Sequence, residues 1–173
     1  MGQEQEGRVI VAIGSDHAGY HLKENLKRAL VEKGYSVDDM GTYSEGSCDY
    51  PDIALKVAEA VGQGEGEEEK GVLVCATGIG MSMAANKVPG VRAAVCNDEY
   101  TARFSRLHND ANVLAMGARV LSEEDAGTIM DMFLTTEYEG RGEEGARHGR
   151  RLDKIREIER KYMKADKPAG QGG

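Results

Sequence analysis

The sequence has few cysteines, no long hydrophobic run and an excess of negative charge. Its three cysteines are an odd number without the pairing typical of metal sites, which fits a reducing compartment and no bound metal. No apolar run approaches the roughly 20 residues that a membrane-spanning helix needs, and the acidic residues 1–7 lack the apolar core of a signal peptide. The net charge of −8 disfavours nonspecific binding to nucleic acid or membranes. We therefore expect a cytoplasmic protein with no nucleic-acid or membrane partner.

The size and composition of the chain are those of one folded domain. It has 173 residues, of which 40% are hydrophobic and 30% charged, enough for a single core. We expect one domain over residues 1–163. Residues 164–173 are small and polar, and we expect them to be disordered.

Short apolar runs alternate with segments of helical periodicity. The predicted strands cover residues 8–14, 35–40, 71–76, 91–96 and 112–116, and the predicted helices cover 17–33, 51–61, 80–87, 98–107, 122–136 and 150–163. This alternation predicts an α/β fold, a three-layer α/β/α sandwich around a five-stranded parallel sheet of the Rossmann or flavodoxin-like type. In such sheets, ligands bind beyond the carboxyl ends of the strands.

Three polar segments beside the predicted strands are candidates for the site. Residues 14–19 (GSDHAG) follow the first strand, residues 75–80 (CATGIG) follow the third, and residues 106–110 (RLHND) lie between a helix and the fifth. We expect all three segments at the ligand-binding end of the sheet.

The segment that begins at Cys75 is the most informative. Glycines let the backbone approach a ligand, and free N–H groups at a helix start favour negative charge, so Cys75 could serve as a base or nucleophile. The alternative is a small buried residue at a strand end. Nucleotide-binding patterns fail, because Met83 replaces the third glycine after Gly78 and Gly80, and Tyr20 and His21 replace the Lys and Ser/Thr of a phosphate loop.

The other segments offer titratable and cationic side chains. Asp16 can be a helix N-cap, a proton-transfer group, or both. The i, i+4 spacing of His17 and His21 allows a zinc site but lacks further ligands, which leaves His21 as helix surface. His108 is either a solvated imidazole at a helix end or an oriented acid/base. The basic cluster at residues 147–151 opens the last predicted helix, where positive charge is unfavourable unless it binds phosphate.

These motifs together resemble the type B ribose-5-phosphate isomerases and the related galactose- and allose-6-phosphate isomerases. The resemblance covers residues 8–162 in order, and departs from the family in a longer acidic connector at 62–70 and an extra stretch at 140–145. It rests on GSDHAG (14–19), DYPD (49–52), CATGIGMSMAANK (75–87), VRAAVC (91–96), RLHNDANVLAMGAR (106–119) and the later arginines.

The resemblance implies an aldose–ketose isomerase of sugar phosphates that works as a homodimer with sites at the interface, possibly a tetramer, without cofactor or metal. It implies that the Cys75 thiolate is the base and that His108, with Asp16, opens the sugar ring. Thr77 and the backbone of residues 78–80 would hold the enediolate. The residues implied for substrate binding are His17, Tyr50, Ala76, Gly78, Ile79, Gly80, Asn109, Arg119, Arg147 and Arg151.

Three alternatives remain at this point. The first is isomerisation of a six-carbon or four-carbon sugar phosphate, since one methylene or hydroxyl changes binding modestly. The second is a non-catalytic sugar-phosphate-binding module, although Cys75, Thr77 and His108 are all present. The third is a nucleotide-binding flavodoxin-like domain.

Overall fold

Strands and helices alternate along the chain as the sequence predicts. The computed structural model describes residues 9–63 and 69–163, so the predicted tail and most of the acidic connector lie outside the described residues. The strands are β1 (Ile10–Ser15), β2 (Ser36–Asp39), β3 (Glu69–Cys75), β4 (Ala93–Val95) and β5 (Val113–Gly117). The helices are α1 (Tyr20–Glu32), α2 (Tyr50–Gln63), α3 (Ile79–Ala85), α4 (Glu99–Leu107), α5 (Glu123–Thr135) and α6 (Ala146–Met163).

The five strands form one parallel sheet in the order β2-β1-β3-β5-β4. The chain first moves outward from β1 to β2 and then returns to place β3 on the other side of β1. The strand order therefore reverses between β1 and β3, and a crevice for ligands is expected beyond the carboxyl ends of these two strands.

Helices cover both faces of this sheet. Side chains alternate along each strand, so Val72 and Val74 enter one core with Leu26 of α1 and Phe133 of α5. Leu73, between them, enters the other core, which α2 and α3 cover. The parallel strands are buried on both faces, which explains their continuous apolar runs. The predicted three-layer α/β/α class is confirmed.

The chain divides into two compact units, one ending at Tyr138 and the other beginning at Glu139. The first contains the sheet and α1 to α5, and the second contains α6. Helix α6 begins at Ala146, earlier than the predicted start at residue 150, so Arg147 lies in its first turn. Within this unit, His148 Nε2 accepts a hydrogen bond from Arg147 Nε at 3.0 Å and lies 3.1 Å from Glu139 Oε1.

No helix within the described ranges has both the length and the apolar composition that crossing a membrane requires.

A buried lysine joins α1 to the end of β2. The Lys23 side chain is fully buried, and its Nζ donates to both carboxylate oxygens of Asp39 at 2.8 Å and to Glu24 at 2.7 Å. Lys27 Nζ also donates to Asp39, at 2.6 Å, and the Gly41 N–H donates to the same carboxylate at 3.0 Å. Burial raises the pKa of Asp39, but the hydrogen bonds from Lys23 and Lys27 outweigh it and hold the pKa below its usual value.

The substitution Asp39→Asn is expected to lower the free energy of unfolding by about 3 kcal/mol at pH 7, because the buried Lys23 cation loses its main carboxylate. The pKa of Asp39 is lower in the folded than in the unfolded protein. The stabilisation that Asp39 contributes is therefore complete above about pH 4, the pKa of Asp39 in the unfolded protein. It is lost as the pH falls through the lower pKa of Asp39 in the folded protein. Urea unfolding from pH 7 to pH 3 should show the gap between parent and variant closing in acid.

The matched control is Asp131→Asn, which removes the exposed ion pair with Lys33. Exposed pairs contribute at most about 1 kcal/mol, so this variant should stay close to the parent. Equal losses in the two variants would show that the buried network contributes no more than a surface pair.

Candidate active site

The turn after β3 is built around the sulfur of Cys75. This side chain ends the strand, is 5% exposed, and its Sγ accepts a hydrogen bond from the Gly78 N–H at 3.1 Å. Gly78 has a φ of 79°, and a Cβ there would lie 3.0 Å from the backbone of Met116, so glycine is required. The Ile79 N–H lies 3.4 Å from Thr77 Oγ1. Two of the predicted enediolate donors thus have acceptors within the turn itself.

Asp16 and His17 follow β1 and lie beside this turn. The Asp16 N–H donates to the Val74 carbonyl at 3.2 Å, and its buried carboxylate accepts from the Gly19 N–H at 3.0 Å. Asp16 is therefore an N-cap, as the sequence allowed, but it caps the short 3-10 turn His17–Gly19 that precedes α1. His17 is exposed, and its Nδ1 accepts from the Cys48 N–H at 3.4 Å.

Tyr50 and Arg119 lie at the same edge of the sheet. Tyr50 begins α2, and its ring packs so closely on Gly80 that a Cβ there would lie 2.7 Å from it. Arg119 follows β5, and its N–H donates to the Ala76 carbonyl at 3.1 Å, which leaves its exposed side chain beside the turn. The carboxyl edge of the sheet thus brings together Asp16, His17, Tyr50, Cys75, Ala76, Thr77, Gly78, Ile79, Gly80 and Arg119.

His108 and Asn109 lie at the opposite edge of the sheet. Helix α4 runs back against the direction of the strands, and the turn after it leads into the amino end of β5. The Asn112 carbonyl in this turn accepts from the Gly71 N–H at 2.8 Å, and Val113 pairs with Gly71. Gly71 and Cys75 are four positions apart in β3, a rise of about 13 Å. The expectation that all three polar segments share one edge is wrong, because a segment that precedes a strand lies at its amino end.

A cluster of charged residues lies at this second edge, two of them from the candidate segment 106–110 and two that the sequence analysis did not single out. Arg106 and Arg92 both bond the carboxylate of Asp110, at 2.8 and 3.0 Å. Lys70 is buried nearby, and burial together with the positive charge of Arg106 lowers its pKa to about 8. Arg92 and Lys70 are far from the turn in sequence, so only the fold reveals the cluster.

The remaining predicted residues are distributed as follows. Arg147 and Arg151 lie one turn apart in α6, within the second unit, and both are exposed. His21 is exposed, as expected for helix surface, but its Nε2 pairs with Glu45 in the loop after β2, which no sequence signal indicated.

Comparison with known proteins identifies the class to which this fold and site belong. The family model described as ribose/galactose isomerase matches residues 11–155. The chain is 46% identical over 151 residues to ribose-5-phosphate isomerase B of Escherichia coli, covering 87% of this chain and 97% of that protein.

Two solved structures are also similar. Ribose-5-phosphate isomerase B of Clostridium thermocellum superposes with a TM-score of 0.82 and 52% identity, covering 88% of this chain and 99% of that one. The enzyme of the same name from Mycoplasma genitalium, solved with bound ribulose-5-phosphate, has a TM-score of 0.81 and 41% identity, covering 87% and 96%.

The chain belongs to the ribose/galactose isomerase family. The resemblance to type B ribose-5-phosphate isomerases and the predicted enzyme class, an aldose–ketose isomerase, are both confirmed.

Proposed function

We propose that this protein interconverts ribose 5-phosphate and ribulose 5-phosphate through an enediolate, with the Cys75 thiolate as the base. The observation that carries the proposal is the setting of Cys75, a buried sulfur at a glycine turn beside Asp16, Tyr50 and Arg119. The substrate follows from the relatives named ribose-5-phosphate isomerase B, one of which was solved with bound ribulose-5-phosphate.

Each active site takes residues from two copies of the chain. The fold separates Cys75 from His108 within one chain, and a proton-transfer group must come within about 3 Å of the atom it serves. A second copy would bring its His108 and Asn109 to the carboxyl edge of the first. In a twofold dimer the same contact occurs twice, which gives two equivalent sites at the interface.

Ring opening is the first chemical step. His108 donates a proton to the ring oxygen while Asp16 accepts the proton of the C1 hydroxyl, and the bond between C1 and the ring oxygen breaks to give the open-chain aldehyde. Asp16 is suited to this role because its carboxylate is fixed by the Gly19 N–H beside the end of β3.

Isomerisation follows without a redox partner. The Cys75 thiolate removes the C2 proton, and the electron pair forms the C1–C2 double bond and leaves negative charge on O1. Thr77 and the Gly80 N–H stabilise this charge, since the Gly78 and Ile79 N–H groups already donate to acceptors within the turn. A proton moves from O2 to O1, and Cys75 returns its proton to C1 to give the ketose. Asn109 holds a sugar hydroxyl, Tyr50 lines the pocket, and the phosphate is bound by His17, Arg119, Arg147 and Arg151.

The proposal is tested by assaying the purified protein with ribose 5-phosphate, a six-carbon aldose phosphate and erythrose 4-phosphate. Turnover of ribose 5-phosphate above the others supports it. Turnover of another substrate alone reassigns the substrate within the family. Binding without turnover on the whole panel would overturn the catalytic proposal in favour of a binding module.

The four-carbon substrate also separates ring opening from isomerisation. Its phosphate occupies the hydroxyl that would close a five-membered ring, so its aldehyde is not held in a ring. If His108 acts in ring opening, His108→Ala should lower turnover of ribose 5-phosphate by about 10²-fold or more, as for loss of a general acid. The same variant should leave any turnover of erythrose 4-phosphate unchanged, because this substrate needs no ring opening.

A further inference from the structure

The turn that carries His108 and Asn109 is fixed by ion pairs to a single carboxylate. Arg106 Nη1 donates to Asp110 Oδ1 at 2.8 Å, and Arg92 Nη2 donates to Asp110 Oδ2 at 3.0 Å. The two arginines come from different elements, Arg106 from α4 and Arg92 from the residue before β4. Each carboxylate oxygen thus has its own guanidinium partner.

The same arginines also hold the backbone of the turn. Arg92 Nε donates to the Asp110 carbonyl at 2.8 Å, and Arg106 Nη1 donates to the Ala111 carbonyl at 2.6 Å. Asp110 has a φ of 44°, a left-handed conformation that is uncommon for non-glycine residues and that Asp and Asn adopt more readily than most. The conformation of the turn is therefore set by Asp110 and its two partners.

Arg106, one of the two partners of Asp110, is itself buried and in contact with neighbouring groups. Arg106 is 7% exposed and stacks on the Phe133 ring at 5.7 Å, and the backbone N–H groups of Asp110 and Ala111 donate to carbonyls of the last turn of α4. On the other side, the His108 and Phe104 rings pack in a T-shaped arrangement with their centroids 4.7 Å apart. Burying such charges adds little net stability compared with apolar side chains. The contribution of this arrangement is instead to fix the geometry of the turn.

We propose that Asp110 is a positioning residue, which orients His108 for ring opening through its ion pairs with Arg92 and Arg106. The inference rests on the proposed function of His108 as the ring-opening acid. Asp110 does not touch substrate in this account, and it acts only through the conformation of the turn.

The test is a double-mutant cycle in the full-length protein with ribose 5-phosphate as substrate. Asp110→Asn removes the charge but keeps a residue type that tolerates the left-handed conformation, and it is expected to lower kcat at least about tenfold. Because Asp110 acts through His108, the double variant with His108→Ala should be little slower than His108→Ala alone. Arg92→Lys, which keeps the charge but loses the paired contacts, should lower kcat in the same non-additive way.

The matched control is Asp98→Ala, which removes the N-cap at the other end of α4, where Asp98 accepts from the Thr101 N–H at 2.7 Å. It should lower the melting temperature of the protein but leave kcat unchanged. The positioning role would be overturned if the losses in kcat multiply in the double variant, or if Asp110→Asn leaves kcat unchanged. Either outcome leaves the role of His108 as the acid intact. An unaffected His108→Ala would overturn the acid itself and the inference with it, and an inactive parent would overturn the proposed function.

Discussion

Cys75→Ala is expected to lower kcat for ribose 5-phosphate by about 10³-fold, because loss of a general base typically costs 10²- to 10⁴-fold. The KM should change little, since the phosphate and hydroxyl contacts remain. Sγ accepts a hydrogen bond from the Gly78 N–H, and removal of the sulfur leaves only a small cavity, so the melting temperature should fall by no more than a few degrees. Steady-state kinetics and thermal unfolding of the same preparations check both expectations.

Cys96→Ala is the matched control, because Cys96 is a second buried cysteine and is 1% exposed. Burial raises the pKa of its thiol, which keeps it protonated and unreactive. This variant should show a similar loss of stability with kcat unchanged. Full turnover in Cys75→Ala would assign the C2 proton to another base, and equal losses in both variants would trace the effect to packing.

Mixing two inactive variants is expected to restore activity. If each site takes Cys75 from one chain and His108 from the other, a mixed dimer of Cys75→Ala and His108→Ala chains has one intact site. A purified mixed dimer therefore has about half of the parent's sites, and the unfractionated mixture after random exchange has about a quarter. The measurement is turnover of ribose 5-phosphate after the two variants, carrying different tags, are refolded together and purified through both tags.

The control for this experiment pairs Cys75→Ala with a chain that carries both substitutions, which leaves no complete site in any dimer. It should remain inactive. Purified mixed dimers that show no turnover would mean that Cys75 and His108 do not belong to one intersubunit site.

The sequence predicted the elements well because local physics specifies them. Apolar runs of strand length and stripes of helical periodicity predicted the five strands and six α-helices of the described residues, with bounds that shift by a few residues. Helix α5 begins after Ser122, whose side chain accepts from the Asp125 N–H, as the sequence of a capped helix indicates. The early start of α6 was missed, because residues 146–149 (ARHG) give no capping or apolar signal there.

The sequence also identified the chemical groups of the site, since a cysteine before a glycine turn, an Asp-His pair after a strand and an arginine cluster are local patterns. Their grouping in space depended on the strand order, which places β5 between β3 and β4. The amino end of β5 therefore lies beside Gly71 and its carboxyl end beside Cys75, so Arg119 joins the site of its own chain while His108 lies across the sheet.

By itself, then, the sequence determined the α/β class, the candidate groups and the family resemblance, all of which depend on residues close together in the chain. Only the tertiary structure decided that Lys23 pairs with Asp39, that Arg92 and Arg106 share Asp110, and that Cys75 and His108 lie at opposite edges. Apart from the Arg106–Asp110 pair, which is four positions apart in the chain, these relations join residues that are distant in sequence. Parallel pairing with return helices fixes which ends of the strands meet.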